Sequence, residues 1–380
     1  MIITSERKFG YPVRHKKKVP FDPTISLPYK IMEINTEIFQ MEAELDRCIL
    51  SGQDYQDLIM EAFSSNIHLS TSMEGNPLTK EQVNRITRKT FREGTPDRKL
   101  DFFSQEIYNH IYAYINTDYS KDWTLKTVQD THSILLFGDE SAKAGSFRKE
   151  RGIVETNKGE EVFIACPPEH IPEELASLLT WLNTSANALF PVVAGAVFFH
   201  EFESIHPFID GNGRCGRTLF HVFLQHRGLP NSKMCLVEKE VVTDLEIYYE
   251  LLARTDFTGD YTELISNFSE GVWRSYKGAV EKFKEKDLLR SELDETSKIV
   301  LMKAKKLNRP FDLKDVREWL PRMSDYVLRQ RINELVDKGA IWTEGKTKGK
   351  RFIFADPTRG LLTDYLTECE FEVQHNYTVK

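Results

Sequence analysis

Residues 206–217 read His-Pro-Phe-Ile-Asp-Gly-Asn-Gly-Arg-Cys-Gly-Arg. The string places a base, a carboxylate and two guanidiniums around a glycine turn, and that combination suits chemistry at a phosphate. His206 has an ordinary pKa of about 6.5, which fits proton abstraction near neutrality. Gly211 and Gly213 let backbone approach an anion closely. Arg214 and Arg217, three residues apart, share a helix face, and paired guanidiniums beside free N–H groups match a di- or triphosphate. Asp210 is the type of ligand Mg²⁺ takes beside substrate phosphates. Asn212 could donate to developing charge or turn back to fix its own loop. The rival chemistry is a zinc site of His200, His206 and Asp210. His200-Glu201 begins like H-E-x-x-H, but residue 204 is Ser. No P-loop sequence occurs.

A phosphate loop of this kind belongs between two helices, at the N-terminus of the second, where unpaired N–H groups and the helix dipole favour an anion. The flanking sequence supplies both. Val192–Glu203 is apolar nearly all round and reads as a central buried helix, and Arg214–His226 reads as the helix that follows. Helical periodicity also marks Ile31–Leu50, Tyr55–Met73, a segment opening at Thr79, Asp101–Ile115, Leu125–Leu136, Pro172–Ser185 and much of 240–290. The β-branched runs of 145–165, around Asn157-Lys158-Gly159, predict a hairpin within this helical protein. Residues 1–27 look irregular, and Arg14, His15, Lys16, Lys17 and Lys18 read as a solvated N-terminal arm.

After a polar stretch at 287–297, residues 311–354 predict helix, turn at Pro321, helix ending at Gly339, then two strands: a winged helix-turn-helix pattern. That segment holds five Lys and five Arg against seven acidic residues. Lys346, Lys348, Lys350 and Arg351 crowd the wing, whereas Arg329, Arg331 and Lys338 face Asp325, Glu334 and Asp337 in the second helix. Both DNA contact and protein docking remain open. The chain has 380 residues, net charge -7 and pI about 5.9, so it is no generic nucleic-acid binder. Five scattered cysteines with no C-x-x-C pair argue against a disulfide framework or zinc ribbon and for a reduced, cytoplasmic setting. No signal peptide or membrane span is expected.

The string 206–217 resembles the signature of the Fic family, HPFx[DE]GN[GK]RxxR, at every constrained position. Gly145-Ser-Phe-Arg148, the hairpin and Pro167-Pro168 resemble that family's surroundings. The resemblance implies an all-α fold: a Fic-type helical core at 116–290 with a β-hairpin flap, behind an N-terminal helical region at 1–115. A winged helix at 298–356 and a tail at 357–380 follow. It implies a protein adenylyltransferase that moves AMP from ATP to a Ser, Thr or Tyr hydroxyl of a target protein and releases pyrophosphate. In that scheme His206 deprotonates the hydroxyl and Asp210 holds Mg²⁺. Gly211, Asn212, Gly213 and Arg214 bind the α- and β-phosphates, and Arg217 binds the γ-phosphate. Phe208 anchors the loop, the flap aligns a target strand, and Tyr248 and Tyr249 line the adenine pocket.

Ser70-Thr-Ser-Met-Glu74-Gly75-Asn76 resembles the family's inhibitory motif [ST]xxxE[GN]. Glu74 is then expected to pair with Arg217 and block productive ATP binding, and some family members use this Glu to remove AMP. The same residues also read as a helix end, with Gly75 beyond the last turn. A homodimer is compatible with the resemblance, and no membrane partner is implied. The alternative is a nucleotide-sensing transcription regulator that binds DNA through the winged helix. Transfer of UMP, phosphocholine or phosphate is the other enzymatic option.

Overall fold

The computed structural model describes residues 12–48, 52–93, 100–116, 119–155, 161–286, 293–307, 309–344 and 350–354. Helices dominate: α1 (Tyr29–Arg47), α2 (Gly52–Ser72), α3 (Lys80–Glu93), α4 (Phe102–Asn116) and α5 (Leu125–Leu135). A short sheet interrupts them, and then come α6 (Ile171–Asn183), α7 (Pro191–Ile205), α8 (Asn212–His226), α9 (Val237–Val241), α10 (Leu245–Thr258) and α11 (Thr262–Lys286).

The centre is α7. Gly195 and its neighbours leave room for Phe220 and Phe223 of α8, and a Cβ at Gly195 would lie 2.8 Å from the Phe220 ring. Almost every α7 residue is buried, as its all-round apolarity requires. Helices α5, α6 and α11 surround the α7–α8 pair, and α1 lies along α11. Rings fill the space: Trp123 meets Phe198 and Phe223 edge-on, and Phe268 meets Phe220 in the same way. Helices α2, α3 and α4 share a smaller cluster of Phe63, Ile67, Val83, Ile107 and Ile111.

The expected hairpin is present as β2 (Ile153–Glu155) and β3 (Glu161–Ile164), paired antiparallel. Its tip, Asn157-Lys158-Gly159, lies outside the described residues. A third strand was not expected. β1 (Val13–Arg14) lies parallel to β3, with Val13 opposite Phe163 and Arg14 opposite Ile164, so the sheet order is β1-β3-β2.

The solvated-arm reading of residues 14–18 is therefore corrected. The His15 side chain is 2% exposed and bonds Glu174 of α6 at 2.7 Å and Ser204 of α7 at 2.9 Å. Lys18 reaches Glu201 at 2.6 Å and the Tyr261 hydroxyl at 3.0 Å. Arg14, Lys16 and Lys17 keep an exposed setting, the two lysines bonding the Phe257 carbonyl and Glu173. Burial disfavours charge on Glu201, but His200 and Lys18 outweigh it and hold the carboxyl down to about 2. Buried acids on α6 and α7 thus draw the basic segment in.

Towards the C-terminus, α12 (Glu295–Lys306), α13 (Leu313–Trp319) and α14 (Asp325–Asp337) precede the antiparallel pair β4 (Ile341–Glu344) and β5 (Arg351–Phe354). Each helix opens on a capping side chain: Asp294, Asp312 and Ser324. Gly339, at φ +66°, follows α14, and Phe311 bridges to Phe352. The unit packs on the helical body through Phe354 against Tyr55 and through Lys305 on the Leu45 carbonyl. Lys346 and Lys348 lie outside the described residues.

Candidate active site

The loop between α7 and α8 carries the candidate residues, and its shape follows from three fixings. His206 ends α7 in the left-handed region at φ 52°, an uncommon conformation for a residue with a side chain. Arg148 holds it there. Its main-chain N–H donates to the Pro207 carbonyl, Nε donates to the His206 carbonyl at 2.7 Å, and Nη2 donates to the carbonyls of Ile205 and Cys166. Gly152 is required beside it, since a Cβ there would lie 2.8 Å from the guanidinium carbon.

The second fixing is Asn212. Its Oδ1 accepts the Phe208 N–H and its Nδ2 donates to the Phe208 carbonyl, both at 2.9 Å. Of the two uses open to this side chain, the structure shows it shaping the loop. Phe208 itself is fully buried.

The third fixing is His132 of α5, which sequence reasoning missed because nothing marks one His in a helical run. Its ring stacks on Phe208 at 3.6 Å between centroids, 8° from parallel. The Gly145 N–H donates to Nδ1, so Nδ1 carries no proton, and Nε2 donates to the Asp210 carbonyl at 2.8 Å. Burial pushes His132 down to about 4, so the neutral tautomer this geometry needs is the stable one. Gly211, at φ +75°, caps α8, and a Cβ there would lie 2.6 Å from Leu136.

His206 Nδ1 sits 3.2 Å from the Glu203 carbonyl, which can only accept, so the proton is on Nδ1 and Nε2 keeps its lone pair. Burial pushes His206 down to about 4 and keeps it neutral. Glu203, within the same cluster, is pushed up to about 7 by burial, and its Oε1 has no hydrogen-bond partner among the described residues.

Both arginines of α8 are engaged by carboxylates. Arg217 donates from Nε to Ser70 Oγ at 2.9 Å, and from Nη2 to the Ser70 carbonyl at 3.0 Å and Glu74 Oε1 at 2.8 Å. Glu74 reaches it because α2 ends in a turn: Asn76 N–H donates back to the Thr71 carbonyl across Gly75 at φ +95°. Burial opposes charge on Glu74, but Arg217 overcomes it, with Arg214 assisting, and the carboxyl lies below its ordinary range. A Cβ on Gly213 would stand 2.6 Å from Glu74 Oε1. The Glu74 carboxylate therefore lies on the first turn of α8, where a helix attracts an anion. Arg214 bonds Asp210 at 2.8 Å and Glu106 of α4 at 2.5 Å, two partners that the sequence did not announce.

Tyr248 is buried and Tyr249 half-buried, with ring centroids 5.3 Å apart. Burial raises both hydroxyls' pKa values, and the Arg217 charge acts on both, which puts the pair beside the arginine end of the site.

The zinc grouping does not form. His200 is buried against Glu201, the Leu252 carbonyl and Asp256, whereas Asp210 points to Arg214. Among the described residues the one trio of potential ligand atoms within 4.8 Å is His15, Cys166 and Glu174, in which Glu174 already bonds the other two.

Residues 122–224 match the model of the Fic/DOC family. The chain carries a Fic domain. That domain spans α5 to α8 and holds the loop, Arg148 and His132, whereas Glu74, Glu106 and the two tyrosines lie outside the matched residues. Protein adenylyltransferase Fic of Drosophila grimshawi is 31% identical over 179 residues, covering 45% of this chain and 34% of that protein. Protein adenylyltransferase fic-1 of Caenorhabditis briggsae is 25% identical over 236 residues, covering 59% and 43%. The chain thus spans about a third to two fifths of these relatives' length. In fold, the chain is similar to a crystal structure of a Fic family protein from Desulfovibrio desulfuricans G20. The TM-score is 0.57 at 23% identity, over 88% of this chain and 98% of that one. A Fic domain containing signaling protein from Bacteroides thetaiotaomicron VPI-5482 gives 0.53 at 24% identity, over 67% and 97%.

Proposed function

We propose that the chain transfers AMP from ATP to a Ser, Thr or Tyr hydroxyl of a target protein, and that Glu74 holds this activity off in the form described here. The observation that carries the reading is the first turn of α8. A neutral base, His206, stands beside a helix N-terminus with two guanidiniums, and the anion on that turn is the chain's own Glu74.

The chemistry follows from the parts. His206 Nε2 takes the proton of the target hydroxyl, whose oxygen bonds the α-phosphorus. The bond from that phosphorus to the α,β-bridging oxygen breaks and pyrophosphate leaves. Gly213 and its neighbours offer main-chain N–H groups to the α-phosphate, and Arg214 and Arg217 hold the phosphates beyond it. Asp210, whose side chain is 55% exposed, is a hard oxygen donor suited to Mg²⁺. Bound there, that ion would offset phosphate charge. On the flap, β3 is paired on both sides, so a target strand would add to the outer edge of β2. Because Glu74 and the γ-phosphate claim the same guanidinium, ATP binds productively only when Glu74 has left.

The test uses ATP labelled at the α- or the γ-phosphate, with Mg²⁺ and cell lysate. Glu74→Gly is expected to transfer α-label and no γ-label, at least ~10-fold above the parent chain, and His206→Ala in that background to abolish transfer. Transfer of γ-label would replace AMP with phosphoryl transfer. Equal transfer with and without Glu74 would remove the inhibitory role.

A further inference from the structure

Glu106 belongs to none of the motifs in the sequence, yet it joins two of them. It is 8% exposed, and its two oxygens serve different partners. Oε1 accepts Arg214 Nη1 at 2.5 Å, and Oε2 accepts Asn76 Nδ2 at 2.7 Å. The Asn76 amide can be oriented only one way. Its Oδ1 accepts the Leu78 N–H at 3.0 Å, which leaves Nδ2 for Glu106 and the Phe103 carbonyl. Glu106 is thus flanked by two donors, and only an acceptor-only group with two oxygens satisfies both. Asn76 is in turn the residue that closes α2 beyond Glu74, through its N–H to the Thr71 carbonyl.

We propose that Glu106 is a positioning residue that sets Arg214 for the nucleotide phosphate and, through Asn76, couples it to the turn that presents Glu74. The inhibitory turn then grips α8 at two points: Glu74 on Arg217, and Asn76 through Glu106 on Arg214. Moving the turn disturbs both arginines together, so the site opens as a unit. The inference rests on the AMP-transfer reading and adds how that site is regulated.

The chemistry of Glu106 separates its two duties. Glu106→Gln keeps one oxygen for Arg214 but turns an NH₂ towards Asn76 Nδ2, donor against donor, and cuts the link to the turn. Asn76→Ala cuts the same link from the other side. Glu106→Ala removes both.

The experiment measures α-label transfer and binding of a non-transferable ATP analogue for each variant, with Glu74 present and in the Glu74→Gly background. With Glu74 present, Asn76→Ala and Glu106→Gln are each expected to tighten analogue binding and raise transfer by ~5-fold, the size of one lost hydrogen bond. In the Glu74→Gly background Asn76→Ala is expected to change neither by more than ~2-fold, since the turn no longer carries a carboxylate to hold on Arg217. There, Glu106→Ala lowers kcat by at least ~10-fold, and Glu106→Gln restores most of it. A merely structural role lowers activity in every background and never raises it. Glu106→Gln carries the test should Asn76→Ala fold poorly.

Active Glu74→Gly with no gain from either link-cutting variant overturns the coupling and leaves AMP transfer standing. The expected pattern in binding without any AMP transfer upholds the coupling and overturns the reaction. Loss of nucleotide binding in every variant overturns both.

Discussion

At the residue scale, the site is a set of groups whose protonation is decided by burial and by single neighbours. His206 is half-buried, and the loss of water around its ring keeps it neutral; its free nitrogen is Nε2 because Nδ1 faces a carbonyl. A depressed pKa keeps the base form available to lower pH. For Glu74→Gly, kcat/KM is therefore expected to stay flat as pH falls from 7 to about 5 and to drop only as pH nears 4; an acid limb centred near 6.5 would contradict the burial argument. Glu203 shows the opposite sign. Its folded pKa of about 7 exceeds the ordinary 4.5, so its ionisation costs nothing at pH 4 and is fully unfavourable above pH 7. Glu203→Gln should therefore gain stability over the parent chain as pH rises from 4 to 8, by up to about 3 kcal/mol, measured by urea unfolding at each pH. A difference independent of pH would show that Glu203 is not held up by its surroundings.

At the element scale, the helix pattern was legible and the strap across it was not. Val192–Glu203 announced a central helix by apolarity on every face, and α7 runs Pro191–Ile205. β1 has two residues, too few for any alternation to register, and its pairing is with a strand about 150 positions away. What draws residues 13–18 down is charge already buried elsewhere: Glu174 on α6 and Glu201 on α7, which local sequence cannot reveal as buried. The His15–Glu174 pair is 2% exposed at each partner. His15→Ala leaves that buried carboxylate without its hydrogen-bond donor and is expected to cost about 3 kcal/mol in urea unfolding, whereas Lys17→Ala at the exposed pair beside it is expected to cost far less. Equal effects would show that the segment is only laid against the surface. The same limit hid His132 and Glu106: the motif named the loop residues, but the side chains that hold the loop come from α4 and α5.

At the scale of the whole molecule, the C-terminal unit is the part whose role charge decides. Arg317 forms a two-point pair with Asp325, Arg309 pairs with Asp315, and Arg331 lies between Asp294 and Glu334. These cations are spent within the unit, while Tyr326, Trp342 and Met323 are exposed on it. That surface suits protein contact better than a phosphate backbone. In a gel-shift assay at about 0.15 M salt the full chain is expected to leave duplex DNA unshifted. A salt-sensitive shift that is lost on Lys350→Glu would restore the DNA reading.

The amide of Asn212 has a further consequence, in chemical durability. Asn212-Gly213 is an Asn-Gly step, the sequence in which a side-chain amide is most readily lost when the following backbone nitrogen can fold onto it. Here the side chain is tied at both ends to Phe208 and is 2% exposed, and Gly213 is held in the first turn of α8. The two hydrogen bonds that shape the loop thus also preserve it. Protein that has spent time unfolded ages at that one peptide unit, gaining an isoaspartate where the loop needs an amide, and it refolds with the site already spoiled.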